Sequence, residues 1–312
     1  MKKFIRPAML VVPLITGMFF PEVSRLAYPP FNFIRWILCV IIFINVLQIR
    51  FADLRPRKEH AVLLAANILL GIVPFYLLKF LCPGSEVPAQ AAFFAGIAPT
   101  AAAAAVIVSL LECHVGFAVT AFILSNVGIS AALVLLLPLV TGNFSASFFL
   151  QVFWSLTTVI GIPLLCAKII SRIFPKITLY MGKLKLFSLA LWSLSLFIMA
   201  AIARTYFNSH TNSPLKTILT MVIISLVICA ANFGCGYLIN RKFRRESSQV
   251  LGQKNTTFTL YLALQYASEM AALATIFYVI FHNLWNSIQL FAFSGKRKPG
   301  SADIDPPADL ER

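Results

Sequence analysis

Charge is what this sequence has least of. Asp, Glu, Lys and Arg make up 12% of its 312 residues, where a soluble domain carries about 25%. None of its eleven acids lies well inside an apolar run; Glu112 and Glu269 come nearest, at the ends of two of them. No CxxC, HExxH or GxSxG motif occurs, and no aspartates are paired within apolar stretches. Those absences remove zinc fingers, zinc hydrolases, serine hydrolases of the elbow type and intramembrane aspartyl chemistry. No catalytic residue, metal or cofactor is expected, and the chain is not read as an enzyme.

What is present is apolar. Hydrophobic residues account for 59% of the chain, too much for a surface facing water, so the solvent that fits is a lipid bilayer. The six cysteines, Cys39, Cys82, Cys113, Cys166, Cys229 and Cys235, lie scattered and mostly inside apolar runs, where they read as small apolar residues. Glu112-Cys113-His114 reads as a wetted turn, because three adjacent residues cannot converge on one ion from a helix. The net charge of +15 comes from short clusters between apolar runs. It does not form the basic stripe that nucleic acid requires, so no nucleic-acid partner is expected.

A helix needs about 20 apolar residues to cross the hydrocarbon core. Runs of that kind occupy 6–22, 33–49, 61–81, 90–110, 114–140, 148–170, 186–206, 216–239, 248–266 and 270–292. Met1-Lys-Lys resembles the start of a signal peptide, but no small-x-small cleavage site follows, so 6–22 is read as the first span. The positive charges test the count. With the N-terminus cytoplasmic, only Arg25, Arg35, Lys79, Arg204 and Lys216 fall outside, Lys254 falls within the ninth span, and the other twenty are cytoplasmic. Ten spans with both ends cytoplasmic, in a plasma (inner) membrane, obey the positive-inside rule.

The expected fold is therefore an all-α polytopic membrane protein. Spans 1–5 (residues 1–145) and 6–10 (residues 146–294) form two repeats, and residues 295–312 a polar, disordered tail. Five is odd, so the repeats run in opposite senses, a construction common among secondary transporters. The least regular spans hold matching places, fourth and ninth. Span four contains Pro99-Thr100 before five alanines, and span nine contains Gly252 to Thr257, polar from Gln253 onward. Helix can break at membrane depth only where it is buried in protein or lines a cavity. The half-helix N-termini then present N–H groups to an anion.

Lys254 is the single ammonium in the membrane interior, which holds no carboxylate, and Gln253, Asn255, Thr256 and Thr257 surround it. Such a residue costs roughly 2.5–3.5 kcal/mol on insertion scales and marks a functional site by default. Its long stem also permits the plainer reading, that the ammonium snorkels to the cytoplasmic face. On span ten His282, Asn283, Asn286 and Gln289 form a polar stripe, suited to a substrate path or to helix–helix adhesion. Thr120, Ser125, Asn126 and Ser130 on span five are suited to facing the broken helices or to close helix packing.

The broken segment Pro99–Val106, the Gly252-x-x-Asn255 break and His282-Asn283, in that order and placement, resemble the bile acid:sodium symporter family over nearly the whole chain. The wider superfamily also holds arsenite, riboflavin and auxin carriers. The resemblance implies a core domain from spans 3–5 and 8–10, a panel domain from spans 1, 2, 6 and 7, crossing breaks in spans four and nine, and alternating access. The departures matter as much. Where sodium-using members carry Thr, Ser and Asn after the span-four proline, this chain has Ala101 to Ala105. Where they carry Glu and Gln around the span-nine glycine, it has Val250 and Lys254.

A hard cation wants oxygen ligands, and two like charges about 4 Å apart repel by about 4 kcal/mol at an effective dielectric of about 20. Lys254 is thus expected to replace sodium. The expected activity is alternating-access transport of a small organic anion, independent of sodium and run by proton coupling, exchange or uniport. A sodium-coupled symporter and an exporter are the competing readings. Expected binding residues are Lys254, Gln253, Asn255, Thr256, Pro99, Thr100, Asn126, His282 and Asn283. No cysteine lies in either break, which argues against arsenite.

Overall fold

The computed structural model describes residues 12–47, 49, 54–81, 83–84, 86–111, 113–174, 181–209 and 214–293. The expected tail at 295–312 and the start of the first expected span lie outside these residues. Within them the protein is helical, and no strand forms beyond one isolated bridge. A helical turn at 12–17 and a 3-10 turn at Pro21–Ala27 precede eleven helices. They are α1 (Phe33–Leu47), α2 (Lys58–Leu81), α3 (Val87–Ile97), α4 (Ala103–Leu110), α5 (Val115–Thr141) and α6 (Ala146–Ile173). After these come α7 (Met181–Ser209), α8 (Pro214–Ile239), α9 (Arg244–Gly252), α10 (Thr256–Tyr266) and α11 (Glu269–Phe293).

Six of these helices, α2, α5, α6, α7, α8 and α11, are long and apolar enough to cross a membrane. Helix satisfies its backbone groups internally, which a lipid-facing segment must do. The surface is apolar to match: Phe80 is 81% exposed and Leu238 76%. Many polar side chains are buried instead, among them Asn67, Thr100, Asn126, Asn232 and Gln249. In a water-soluble fold that distribution would be reversed.

Close packing positions the short helices. A Cβ on Gly96 of α3 would sit 2.2 Å from the Leu70 carbonyl oxygen and 3.0 Å from Gly71 Cα on α2. Only glycine allows this approach. It carries Asn67, one turn before Gly71, to the end of α3. The second pair repeats the device: a Cβ on Gly236 of α8 would lie 2.3 Å from the Ser247 carbonyl oxygen on α9. Helices α2, α3, α5, α8, α9 and α11 pack on one another, while α1 packs on α6 and α7.

A candidate binding site where two broken helices meet

Two interruptions face each other inside the protein. The first follows from Pro99, which lacks an N–H and drives the preceding residue out of helical conformation. Ala98 accordingly ends α3 with ψ at 140°. The second has no proline. Gln253 and Asn255 leave the helical region, with ψ of 88° and 78°, and the Asn255 side chain caps α10 by accepting from the Phe258 N–H at 3.3 Å. Asparagine is among the favoured residues at such a cap.

Each break supplies what the other lacks. Thr100 and Lys254 form an antiparallel bridge. The Ala101 N–H donates to the Gln253 carbonyl and the Asn255 N–H to the Pro99 carbonyl, both at 2.8 Å. Side chains from the flanking helices satisfy further groups. Ser125 Oγ accepts from the Thr100 N–H at 3.0 Å, and Asn126 Nδ2 donates to the Thr100 carbonyl at 3.1 Å. The Thr100 hydroxyl donates to the Val250 carbonyl, and the Tyr278 hydroxyl to the Gly252 carbonyl, each at 2.8 Å. Buried backbone groups are costly when unpaired, so this polar collar is what allows the breaks to exist.

Lys254 sits in the collar, 1% exposed. Its ammonium donates to Asn67 Oδ1 on α2 at 2.5 Å, directed across the crossing rather than along its own helix. Asn67 Nδ2 in turn donates to the Ala98 carbonyl at 3.1 Å. The amide thus links the cation to the C-terminal, partially negative end of α3. Lys254 has no ion pair among the described residues. The one buried carboxylate among them, Glu246, accepts from the His114 N–H at 3.0 Å, at the start of α5.

The other expected residues divide. Gln253 is buried, and Asn286 Nδ2 donates to its Oε1 at 2.5 Å. Gln249 Nε2 donates to Asn286 Oδ1 at 3.0 Å and to Gln289 Oε1 at 2.5 Å, so half of the polar stripe ties α11 to α9. His282 is buried between Tyr278 and Asn286, edge-on to Tyr278 at 5.6 Å, and its Nδ1 has no partner. Pro99, Thr100 and Asn126 lie in the collar, and Thr256 is buried at the start of α10. Asn283 is not drawn in: its amide closes on its own helix at the Val279 carbonyl, 2.8 Å away. The Thr120 hydroxyl bonds its own helix at the Gly116 carbonyl and accepts from the Arg55 N–H.

Sequence reasoning missed Asn67, Tyr278 and Gln249. Asn67 carried a faint signal, as the single amide in the apolar run of span three. A cavity of about 10 Å³, room for one water, adjoins the crossing and is lined by His60, Asn67, Thr100 and Ser125 among others. No group of three His, Cys, Asp or Glu side chains suited to a metal occurs among the described residues. No family model matches the chain, and no curated protein matches its sequence.

Proposed function

We propose that the chain is a secondary active transporter for a small organic anion, built on the plan of the bile acid:sodium symporters and working by alternating access. The observation that carries this reading is the Lys254 ammonium, buried at the meeting of two broken helices with a neutral amide as its partner. A desolvated charge without a counter-charge is expensive. It is compensated when an anion arrives, and a site that gains an anion and releases it again is what a carrier needs. The N-termini of α4 and α10 add positive potential at the same place.

On this reading the ten spans form two inverted repeats, 1–145 and 146–294, in the inner membrane with both ends cytoplasmic. Helices α2–α5 and α8–α11 form the moving core; α1, α6 and α7 belong to the panel. The packing of α2, α3, α5, α8, α9 and α11 on one another, and of α1 on α6 and α7, supports that division. Lys254 occupies the place a sodium ion would take, since its charge and a bound cation repel at contact distance. Transport then runs without sodium, by proton coupling, exchange or uniport.

The test is uptake of labelled small carboxylates into proteoliposomes. Sodium is replaced by choline from acidic to alkaline pH, for wild type and Lys254→Gln. Uptake that survives the replacement in wild type and is lost in the variant is expected. Strict dependence on sodium in wild type overturns the replacement of sodium by lysine. Full activity in Lys254→Gln returns that residue to a structural role.

A further inference from the structure

Away from the crossing, α1, α6 and α10 enclose a second cation. Arg35 lies in the first turn of α1, where a helix already presents its positive end, so the guanidinium adds to that potential instead of offsetting it. A guanidinium has five N–H donors. Among the described residues the Arg35 guanidinium makes one hydrogen bond, from Nη2 to Thr158 Oγ1 at 2.5 Å, and no ion pair; it also lies 6.0 Å from the Trp36 ring centre. The side chain is partly exposed, so donors remain free to meet a ligand.

The acceptor is positioned by an irregularity with a cause. Pro163 cannot donate a hydrogen bond and its ring clashes with the carbonyl four residues back, at Val159. Helix α6 takes a π turn at Thr157–Gly161 instead, a feature often found at functional sites. The turn directs Thr158 toward α1: its hydroxyl meets Arg35, and its carbonyl accepts from Cys39 Sγ at 3.7 Å. Beside it the Ser155 and Tyr261 hydroxyls share a hydrogen bond of 2.7 Å. The Tyr266 hydroxyl is buried beside Ser155, within electrostatic reach of Arg35. A guanidinium with donors to spare and a buried phenol therefore lie within electrostatic reach of each other among α1, α6 and α10.

The geometry points to a second anion-binding site here, in which Arg35 takes a substrate carboxylate in a forked pair of hydrogen bonds while the Tyr266 hydroxyl donates to it. Arg is suited to this because its planar fork matches a carboxylate. By charge pattern Arg35 is on the outer side, so this site would capture the anion there and Lys254 would hold it at the crossing. The inference rests on the organic-anion reading above and deepens it.

The experiment is thermal unfolding of the full chain in detergent. Acetate, benzoate and succinate are each titrated against chloride at matched ionic strength, for wild type, Arg35→Gln, Arg35→Lys and Lys254→Gln. A ligand that binds the folded state raises Tm, and each variant is compared with itself without carboxylate, so a lowered starting stability does not mask the result. The concentration giving half the rise should increase about tenfold or more in Arg35→Gln, the loss of one charge-assisted pair. Arg35→Lys, which keeps the charge without the fork, should fall between. Wild-type affinity in Arg35→Gln overturns the site. If Lys254→Gln alone abolishes the rise, the Arg35 site fails and the organic-anion reading stands. If no carboxylate stabilises the wild type, both fail.

Discussion

The Lys254 ammonium and the Asn67 side-chain oxygen lie 2.5 Å apart, although 187 residues separate them in sequence. The orientation of that amide is fixed at its other end, since Nδ2 donates to the Ala98 carbonyl. Its oxygen must then face Lys254. One neutral side chain thereby holds the cation and terminates a helix.

Asn67→Leu should accordingly be more harmful than its size suggests. It leaves both a buried ammonium and the Ala98 carbonyl unpaired, at about 1–3 kcal/mol for each unsatisfied group and more for the charge. Lys254→Met in the same background removes the stranded charge and should recover part of the loss. A double-mutant cycle read by thermal unfolding checks this, with coupling of about 1–3 kcal/mol expected. Strictly additive effects would mean that the two side chains do not interact.

Thr100→Val tests the collar independently of any charge. The substitution keeps the shape and removes the hydroxyl that donates to the Val250 carbonyl at 2.8 Å. An acceptor left unpaired in a dry site costs about 1–3 kcal/mol. Thr100→Ser, which keeps the donor, should stay within about 1 kcal/mol of wild type, since it removes little more than a buried methyl group. The readout is again Tm, with carboxylate uptake as the second measure.

Much of this was legible in the sequence, for identifiable reasons. Runs of apolar residues near membrane length stand out against polar links, and six of the expected runs coincide with helices long and apolar enough to cross a membrane. Pro99 announces its own break. Span nine revealed its break through polarity alone, and the interruption is narrower than expected: Gln253 to Asn255 depart from helix, while Thr256 and Thr257 already belong to α10. The partners were not legible. Asn67 and Tyr278 reach the crossing through packing between segments far apart in the chain, at Gly71 against Gly96 and along the α11 face that meets α9. No local pattern encodes such meetings. The stripe on span ten illustrates the same limit: spacing placed His282, Asn286 and Gln289 on one face, but adhesion to Gln249 and Gln253 could be told from a substrate path only once α9 was beside it.

Two glycines separate close approach from mere presence. Gly96→Ala drives a methyl group to 2.2 Å from the Leu70 carbonyl oxygen. Helices α2 and α3 must then separate, which should cost at least about 1–3 kcal/mol, as overpacking does, and pull Asn67 away from Ala98. Gly234→Ala on α8 meets nothing within 4 Å. It should raise stability by about 0.5–1 kcal/mol through helix propensity. Parallel thermal unfolding of the two variants decides the matter, and equal effects would contradict the packing described.

Tyr28 supplies the pH dependence. It lies in the loop after the 3-10 turn, and its hydroxyl donates to Glu269 Oε1 at the start of α11. Burial pushes the phenol up from its ordinary value, and the hydrogen bond to the Glu269 carboxylate, with that group's charge, pushes it further. A hydrogen bond to a charged group contributes about 1.5–3 kcal/mol, less here because the pair is only partly buried, so Tyr28→Phe should lower stability by about 1 kcal/mol. The sign of the pH effect follows from linkage. The folded state holds the phenolic proton more tightly than the unfolded chain, so the advantage is full below the ordinary tyrosine value of about 10. Above it the unfolded chain gives up the proton while the folded state retains it, and stability falls as pH rises. The gap between wild type and Tyr28→Phe should stay constant through neutral pH and close on the alkaline side. Chemical denaturation of both proteins across that range measures it, and a gap that widened above about pH 10 would exclude Tyr28 as a protonated donor to Glu269.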